Sequence, residues 1–381
     1  MAAQAILTKL VSSMPEVRKS LIRKRILGFL TAANIALFTL GYLMVFRRIS
    51  GHLPVPLATW TQGIALTWAM LVSGLCVATL VWKTVSWFKR GALREKDTQE
   101  AEQPSRRRQF LHASQALLFA APVAATAFGI VRRNNLRMTE VDIRIPNLHK
   151  DLDGLRIVQV TDVHLSAFLS EAELAHAIDM ANETRPHLAL MTGDLITMRG
   201  DPLDACLRQL GRLRADAGGL GCLGNHEMYT GTEKYVTEQG RRLGIDFLRR
   251  ENRELRFGNA SINFAGVDYQ TTHTPYLVGT QGLVVPGKLN ILLSHNPDVF
   301  RVAASQGYEL TISGHTHGGQ INVEILNDNF NMARYYTPYT RGLYQHGDSQ
   351  VYVSAGIGTV GMPVRLGAPA EVNLIRLVGS V

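Results

Sequence analysis

Apolar residues follow two regimes along this chain of 381 residues. Before residue 131 they come in long unbroken runs, and after residue 141 in short ones separated by polar segments. The run 26–46 carries no charge and is bracketed by Arg23-Lys24-Arg25 and Arg47-Arg48. About twenty apolar residues suffice for a helix to cross a bilayer, so this run reads as a span. A second run, about 60–82, ends at Lys83, with Trp60, Trp82 and Trp87 where interfacial anchors belong. A third, 113–131, follows Arg106-Arg107-Arg108-Gln109-Phe110-Leu111. Its basic-then-apolar order fits a third span or a twin-arginine type export signal, and both carry the downstream chain across the membrane. Beyond Val141 the pattern predicts strands at Leu155–Val160, Leu188–Met191, Leu220–Leu223, Ile291–Leu293 and Leu310–Ile312. Helical patterns lie between them at Glu171–Glu183 and Leu203–Leu213, and alternation in Gln350–Ser354 and Glu371–Leu377 adds two strands. The chain therefore divides into a membrane anchor, 1–138, and an α/β domain, 139–381.

Charge sharpens this reading. The formal net charge is +9, but the basic residues crowd the flanks of the apolar runs, where they meet a membrane surface rather than a nucleic acid. No nucleic-acid partner is expected. The N-terminal segment and the linker before Ala113 are richer in Lys and Arg than the 47–59 loop. That places both on the cytoplasmic side and the α/β domain outside, although Arg132, Arg133 and Arg137 oppose the assignment. The protein is expected to be integral to the cell membrane. Three cysteines, Cys76, Cys206 and Cys222, make no disulfide framework. Oligomeric state is not encoded in any pattern visible here.

Five short motifs each follow a predicted strand: Thr161-Asp162-Val163-His164, Thr192-Gly193-Asp194, Leu223-Gly224-Asn225-His226-Glu227, Ser294-His295-Asn296 and Ser313-Gly314-His315-Thr316-His317-Gly318-Gly319. Residues just beyond the carboxyl ends of strands in an α/β sheet converge on one rim, where ligands bind. The motifs thus deliver carboxylates, an amide and imidazoles to one place. Mixed oxygen and nitrogen donors suit Mn, Fe, Zn or Co better than Ca. Each motif alone is weak; all five in order, each after an apolar strand, are not a chance pattern.

At these residues the chain resembles the calcineurin-like metallophosphoesterase superfamily, with its D-x-H, G-D, G-N-H-E/D, H and G-H-x-H motifs, over about 150–378. The resemblance implies a four-layer α/β/β/α sandwich preceded by transmembrane helices, and two divalent metal ions. It implies that Asp162, His164 and His317 hold the first ion, that Asn225, His295 and His315 hold the second, and that Asp194 bridges them. His226 would stand beside the scissile phosphate as proton donor to the leaving oxygen, while a hydroxide shared by the ions attacks phosphorus. The Tyr339–Tyr344, Ser354–Gly358 and Pro363–Arg365 stretches resemble a membrane-associated bacterial branch. Arg341 and Arg365 are candidates to contact a substrate phosphate, or equally to pair with carboxylates.

The expected function is hydrolysis of a phosphate ester, a diester or a monoester, on a lipid-linked, cell-envelope or nucleotide-type substrate. Some proteins of this resemblance are assigned to cleave the pyrophosphate of a UDP-diacylglucosamine-type intermediate of lipid A synthesis, an activity that needs a cytoplasmic face. A non-catalytic docking role would tolerate lost ligands, yet every motif position is filled. A transporter reading fails on the spans themselves, which contain no charged residue to mark an ion path.

Overall fold

The computed structural model describes residues 54–93, 105–271, 276–325 and 328–380, together with a few single positions before residue 54. The chain divides into two compact units, Met1–Ile130 and Val131–Val381.

Two long helices dominate the described part of the first unit, α1 (Val55–Leu93) and α2 (Ser105–Arg132), the latter running just past the division. Within them Val55–Trp87 and Ala113–Arg132 are long and apolar enough to cross a membrane. They contain the expected spans 60–82 and 113–131; the expected span 26–46 lies outside the described residues apart from those single positions. Leu117, Phe128, Val77 and Leu80 are exposed apolar side chains on these helices. A helix that is apolar on all sides and leaves such residues uncovered is suited to lipid rather than to water.

The second unit is built on two six-stranded sheets. The first holds β1 (Arg137–Pro146), β2 (Arg156–Val160), β3 (Leu188–Thr192), β4 (Gly219–Cys222), β5 (Ile245–Phe247) and the last strand of the chain. The second takes β6 (Glu251–Phe257), β7 (Ala260–Gly266), β8 (Leu289–Leu293) and β9 (Leu310–Ser313). A small hairpin, β10 (Asn322–Ile325) and β11 (Asp328–Asn331), stands apart, and β12 (Gly342–His346) and β13 (Ser349–Val353) complete the second sheet before β14 (Glu371–Ser380) returns to the first. The strand orders are β1-β14-β2-β3-β4-β5 and β12-β13-β9-β8-β7-β6. Strands β2 to β5 run parallel, as do β7, β8, β9 and β13.

The helices of this unit are α3 (Glu171–Glu183), α4 (Leu203–Leu210), α5 (Asn225–Thr230), α6 (Glu233–Arg242) and α7 (Phe300–Gln306). Helix α3 starts where Ser170 and Glu173 form a reciprocal capping box, which satisfies otherwise unpaired backbone N–H groups.

Alternation along each strand divides the core into layers. Ile157, Leu188, Leu190 and Leu220 meet Ile262, Phe264, Ile291, Leu293 and Ile312 between the two sheets. Their neighbours Val158, Val160, Ala189 and Met191 face the other way, against Leu174 and Ile178 of α3 and Leu207 of α4. On the far side Ala265 and Leu292 pack against Val299, Ala303 and Tyr308. The result is the expected α/β/β/α sandwich. Strands covered on both faces are mostly apolar, which is why β3 reads as an apolar run from Leu188 to Met191.

Candidate metal centre

Parallel strands end at the same rim, so β2, β3, β4, β8 and β9 deliver all five motifs to one place. The loops after β2 and β3 are zipped by backbone hydrogen bonds, Asp162 N–H to Gly193 O, His164 N–H to Asp194 O and Leu165 N–H to Leu195 O, each 3.0 Å. The loops after β4 and β9 come closer still. A Cβ on Gly224 would collide with Asp194 Oδ1, and one on Gly314 with Asp162 Oδ2, so only glycine lets those backbones approach the carboxylates.

Seven side chains converge there. His164 Nε2 lies 3.1 Å from His317 Nε2 and 3.4 Å from Asp194 Oδ2. His317 Nε2 is 3.4 Å from Asp162 Oδ1. On the other side, His295 Nε2 is 3.0 Å from the same Asp194 Oδ2 and 4.0 Å from Asp162 Oδ1. The ring of His315 sits edge-on to that of His295 at 5.0 Å. Donor atoms within 4.8 Å of one another form three sets: Asp162, His164, His317; Asp194, His295, His315; and His164, Asp194, His226.

The donors fit cations better than they fit one another. Asn225 Oδ1 and His295 Nε2, both expected at the second ion, are buried polar atoms without a hydrogen-bond partner, His295 Nε2 having only its ion-pair contact with Asp194. Buried polar atoms are normally satisfied, so two such atoms in one expected ligand set mark a place for an ion. Two imidazole nitrogens 3.1 Å apart have the separation of two ligands each about 2.1 Å from a shared cation at roughly a right angle. Five of the expected ligands also hold left-handed backbone: Asp162 (φ 49), His164 (φ 46), Asp194 (φ 57), His315 (φ 76) and His317 (φ 52). Such conformations cost a non-glycine residue about 1 kcal/mol or more each and persist where the surroundings impose them.

Electrostatics point the same way. Asp162 and Asp194 are almost wholly buried, and among the described residues their ion-pair partners are imidazoles. Burial works against a charge on Asp194, but His295 and His226 outweigh it and hold its carboxyl well below the usual range. Burial likewise opposes a charge on His295, yet Asp194 and Asp162 push its pKa up to about 10. The two carboxylates thus call for positive charge at that point. His315 and His317 are driven the other way, by burial and then by neighbouring imidazoles, His315 to about 3. They are neutral at physiological pH and so carry the lone pair a metal needs.

The second layer of contacts fixes these groups. Thr197 orients two imidazoles at once: its hydroxyl lies 3.2 Å from His164 Nδ1 and its carbonyl accepts from His226 Nδ1 at 2.6 Å. Asp201 holds that loop by accepting from the N–H groups of Thr197 and Met198. Glu227, fully buried, accepts from the N–H groups of Asp194, Leu195 and Gly224 at 2.8–2.9 Å and so ties the β3 loop to the β4 loop. Thr192 O accepts from His295 Nδ1 at 2.6 Å. Of these residues Thr192 and Glu227 lie within motifs that sequence singles out, and nothing in sequence separates the inward carboxylate of Glu227 from a surface one. Thr197 and Asp201 carry no sequence signal.

His226 stands at the edge of the centre, its ring edge-on to His164 at 4.7 Å. Burial pushes its pKa down to about 4. The two candidate phosphate contacts are placed otherwise. Arg365 is buried, and its guanidinium donates to the carbonyls of Ala355, Gly356, Gly358 and Ala368, bracing the loop behind Asp162 instead of facing the rim. Arg341 is paired with the buried carboxylate of Glu371, the alternative that its sequence context left open.

A family model for calcineurin-like phosphoesterases matches residues 155–319. The chain is 31% identical over 281 residues to the uncharacterized metallophosphoesterase YkuE of Bacillus subtilis, covering 71% of this chain and 97% of that one. It is 27% identical to a transmembrane protein with metallophosphoesterase domain of Danio rerio, over 81% of this chain and 74% of that one. It is 26% identical to the phosphodiesterase YaeI of Escherichia coli, over 71% and 99%. The chain spans 63% of the length of a Campylobacter jejuni metallophosphoesterase that is 31% identical to it.

Proposed function

The chain belongs to the calcineurin-like metallophosphoesterase family, and from that premise we propose that it is a membrane-anchored, dinuclear phosphodiesterase with one site, built on Asp162, His164, Asp194, Asn225, His295, His315 and His317. The observation that carries this reading is the position of Asp194 Oδ2, 3.4 Å from His164 Nε2 and 3.0 Å from His295 Nε2. One carboxylate oxygen is thereby available to two donor sets. In this assignment Asp162, His164 and His317 would hold one cation, Asn225, His295 and His315 would hold the other, and Asp194 would be available to both. Two divalent cations so held supply an activated water and neutralise charge growing on the phosphoryl oxygens. Mn, Fe, Zn and Co all suit the donors.

The chain's own contribution is positioning and proton management. Thr197 keeps the Nδ1–H of His226 directed at its carbonyl, which leaves the other ring nitrogen to serve the substrate. The ring is neutral in the free protein, so it takes up its proton beside the incoming phosphate anion and passes it to the leaving oxygen. Diesters suit the site better than monoesters. A monoester brings an additional negative charge, whereas Arg341 is engaged by Glu371 and Arg365 is buried under the loop. The likeness to a protein named as a phosphodiesterase agrees with that choice. Helices long and apolar enough to span a bilayer, and a relative named as a transmembrane protein, favour a substrate that resides at the membrane.

Asp194→Ala tests the assignment directly. Turnover of bis(p-nitrophenyl) phosphate by the full-length protein should vanish and bound metal, measured by elemental analysis, should fall for both ions. A variant that kept two ions, or that kept its turnover, would refute the shared carboxylate.

A further inference from the structure

Beside the metal centre lies a cleft of about 320 Å³, whose floor is the His315–Ile321 loop. One wall is the segment that follows β11, with Met332, Ala333 and Tyr336; the other is the loop at Val360 and Met362. Both walls are hydrogen-bonded to the floor. Asn331 donates to Gly318 O at 3.0 Å, while Gln320 accepts from Val360 N–H at 2.6 Å and donates to Met362 O at 3.3 Å. The cleft is therefore preformed. His315 and His317 belong to it and to the metal centre alike, so whatever is attached to a phosphate held at the centre has this cleft as a neighbour.

Its chemistry is one-sided. Met332, Met362, Val360, Ile321 and Tyr336 supply apolar surface, and no Lys or Arg lines it among the described residues. Of the side chains there able to form hydrogen bonds, Gln320 and the adjoining Asn331 are engaged with backbone as above, Thr316 with Thr340 O and Thr337 with Asp298. Among the described lining residues this leaves the two histidines shared with the metal centre and the Tyr336 hydroxyl, too few groups to read both the edge of a base and the hydroxyls of a sugar. Beyond the mouth the same segment exposes Phe330, Met332, Tyr335 and Tyr336, the two tyrosines at 73% and 85%. Apolar side chains left uncovered beside a site mark a surface that contacts something apolar. Flexible methionines accommodate hydrocarbon of variable shape.

We propose that this cleft is a substrate subsite that takes an aliphatic chain of the phosphate ester, which makes the natural substrate an amphiphile with hydrocarbon close to its phosphodiester. The inference rests on the phosphoesterase reading above.

The test uses full-length, metal-loaded protein in one detergent and a series of p-nitrophenyl n-alkyl phosphates, methyl to butyl, in which the leaving group is constant. Burying about half of the three added methylenes in this open cleft should raise kcat/KM about tenfold from methyl to butyl. Met332→Gln with Met362→Gln, close in shape but polar, should flatten that rise to twofold or less, each protein's series being taken relative to its own methyl ester. Partition into detergent affects wild type and variant alike, so the difference between them reports on the cleft. Calorimetric titration with methyl and butyl phosphate supplies an arm that needs no turnover, with the same tenfold preference expected. A flat wild-type series, a rise that survives both glutamines, or a preference for thymidine 5′-p-nitrophenyl phosphate over the butyl ester would overturn the subsite. Absence of all turnover would instead remove the hydrolase reading, and the titrations would still decide the cleft.

Discussion

Asp162 and Asp194 flank one imidazole, His295, whose burial alone would strip its proton; with both carboxylates beside it the pKa is instead about 10. The group is thus an imidazolium at pH 7, and a metal can take its nitrogen only by displacing the proton. Loading metal at pH 7 should release about one proton, seen as a dependence of calorimetric heat on buffer ionisation enthalpy. No release would refute the pairing. Affinity should weaken by up to tenfold for each unit that pH falls below about 10. The sign for the metal-free protein is the reverse. A pKa raised by folding gives stability that is complete below the unfolded value of about 6.5 and is lost as pH rises through about 10. His226 poses a different question, because its donor atoms lie in a set with His164 and Asp194 and it could serve as a ligand. As a proton donor, His226→Ala should keep its metals and lose about 10²–10⁴-fold with an alkoxide leaving group. The loss should be much smaller with p-nitrophenolate, which departs without a proton. Metal lost along with activity would make His226 a ligand.

At the scale of elements, the site depends on how tightly two loops are fastened. Helix α5 begins at Asn225, and its first turn aims Glu227 back at the β3 loop, where one carboxylate receives three backbone N–H groups. Burial, and then the charge of Asp194, raises the pKa of this carboxyl, so the anion is held by those donors against both effects. Glu227→Gln would turn an amide NH₂ toward N–H groups and leave a buried donor unpaired, at about 2–3 kcal/mol. The expected result is a Tm about 5–10 °C lower, with weaker metal binding through a displaced Asp194. An unchanged Tm would show that the three hydrogen bonds contribute little. Elements differ, too, in how visibly sequence announces them. The central strands β2, β3, β4, β8 and β9 are legible because both faces are covered and apolar residues predominate in them. The edge strands β1, β5, β6 and β12 are not. Glu-Asn-Arg-Glu-Leu-Arg-Phe of β6 is mostly exposed, so no apolar run marks it, and only pairing with β7 makes it a strand.

For the molecule as a whole, the proposed anchor would set where the proposed chemistry takes place. In the orientation favoured by the basic flanks, a reporter fused after Val381 should be active outside the cytoplasm, and the full chain should stay with membranes through an alkaline wash. A cytoplasmic reporter would reverse the orientation and restore the lipid A type pyrophosphate as a candidate; release by the wash would remove the anchor. The apolar runs and their basic flanks, the layered α/β plan and the gathering of Asp162, Asp194 and the histidines into one candidate donor cluster were all determined by sequence. Each of these is written in local terms, as a residue type at a fixed offset from an apolar strand. Tertiary structure alone decided which carboxylate oxygen lies between two imidazoles, that Glu227 and Thr197 fasten the loops, that Arg365 turns inward, and that an apolar cleft opens beside His315 and His317. Those outcomes depend on which way a side chain points once distant segments pack, and no spacing along the chain encodes a direction across the fold.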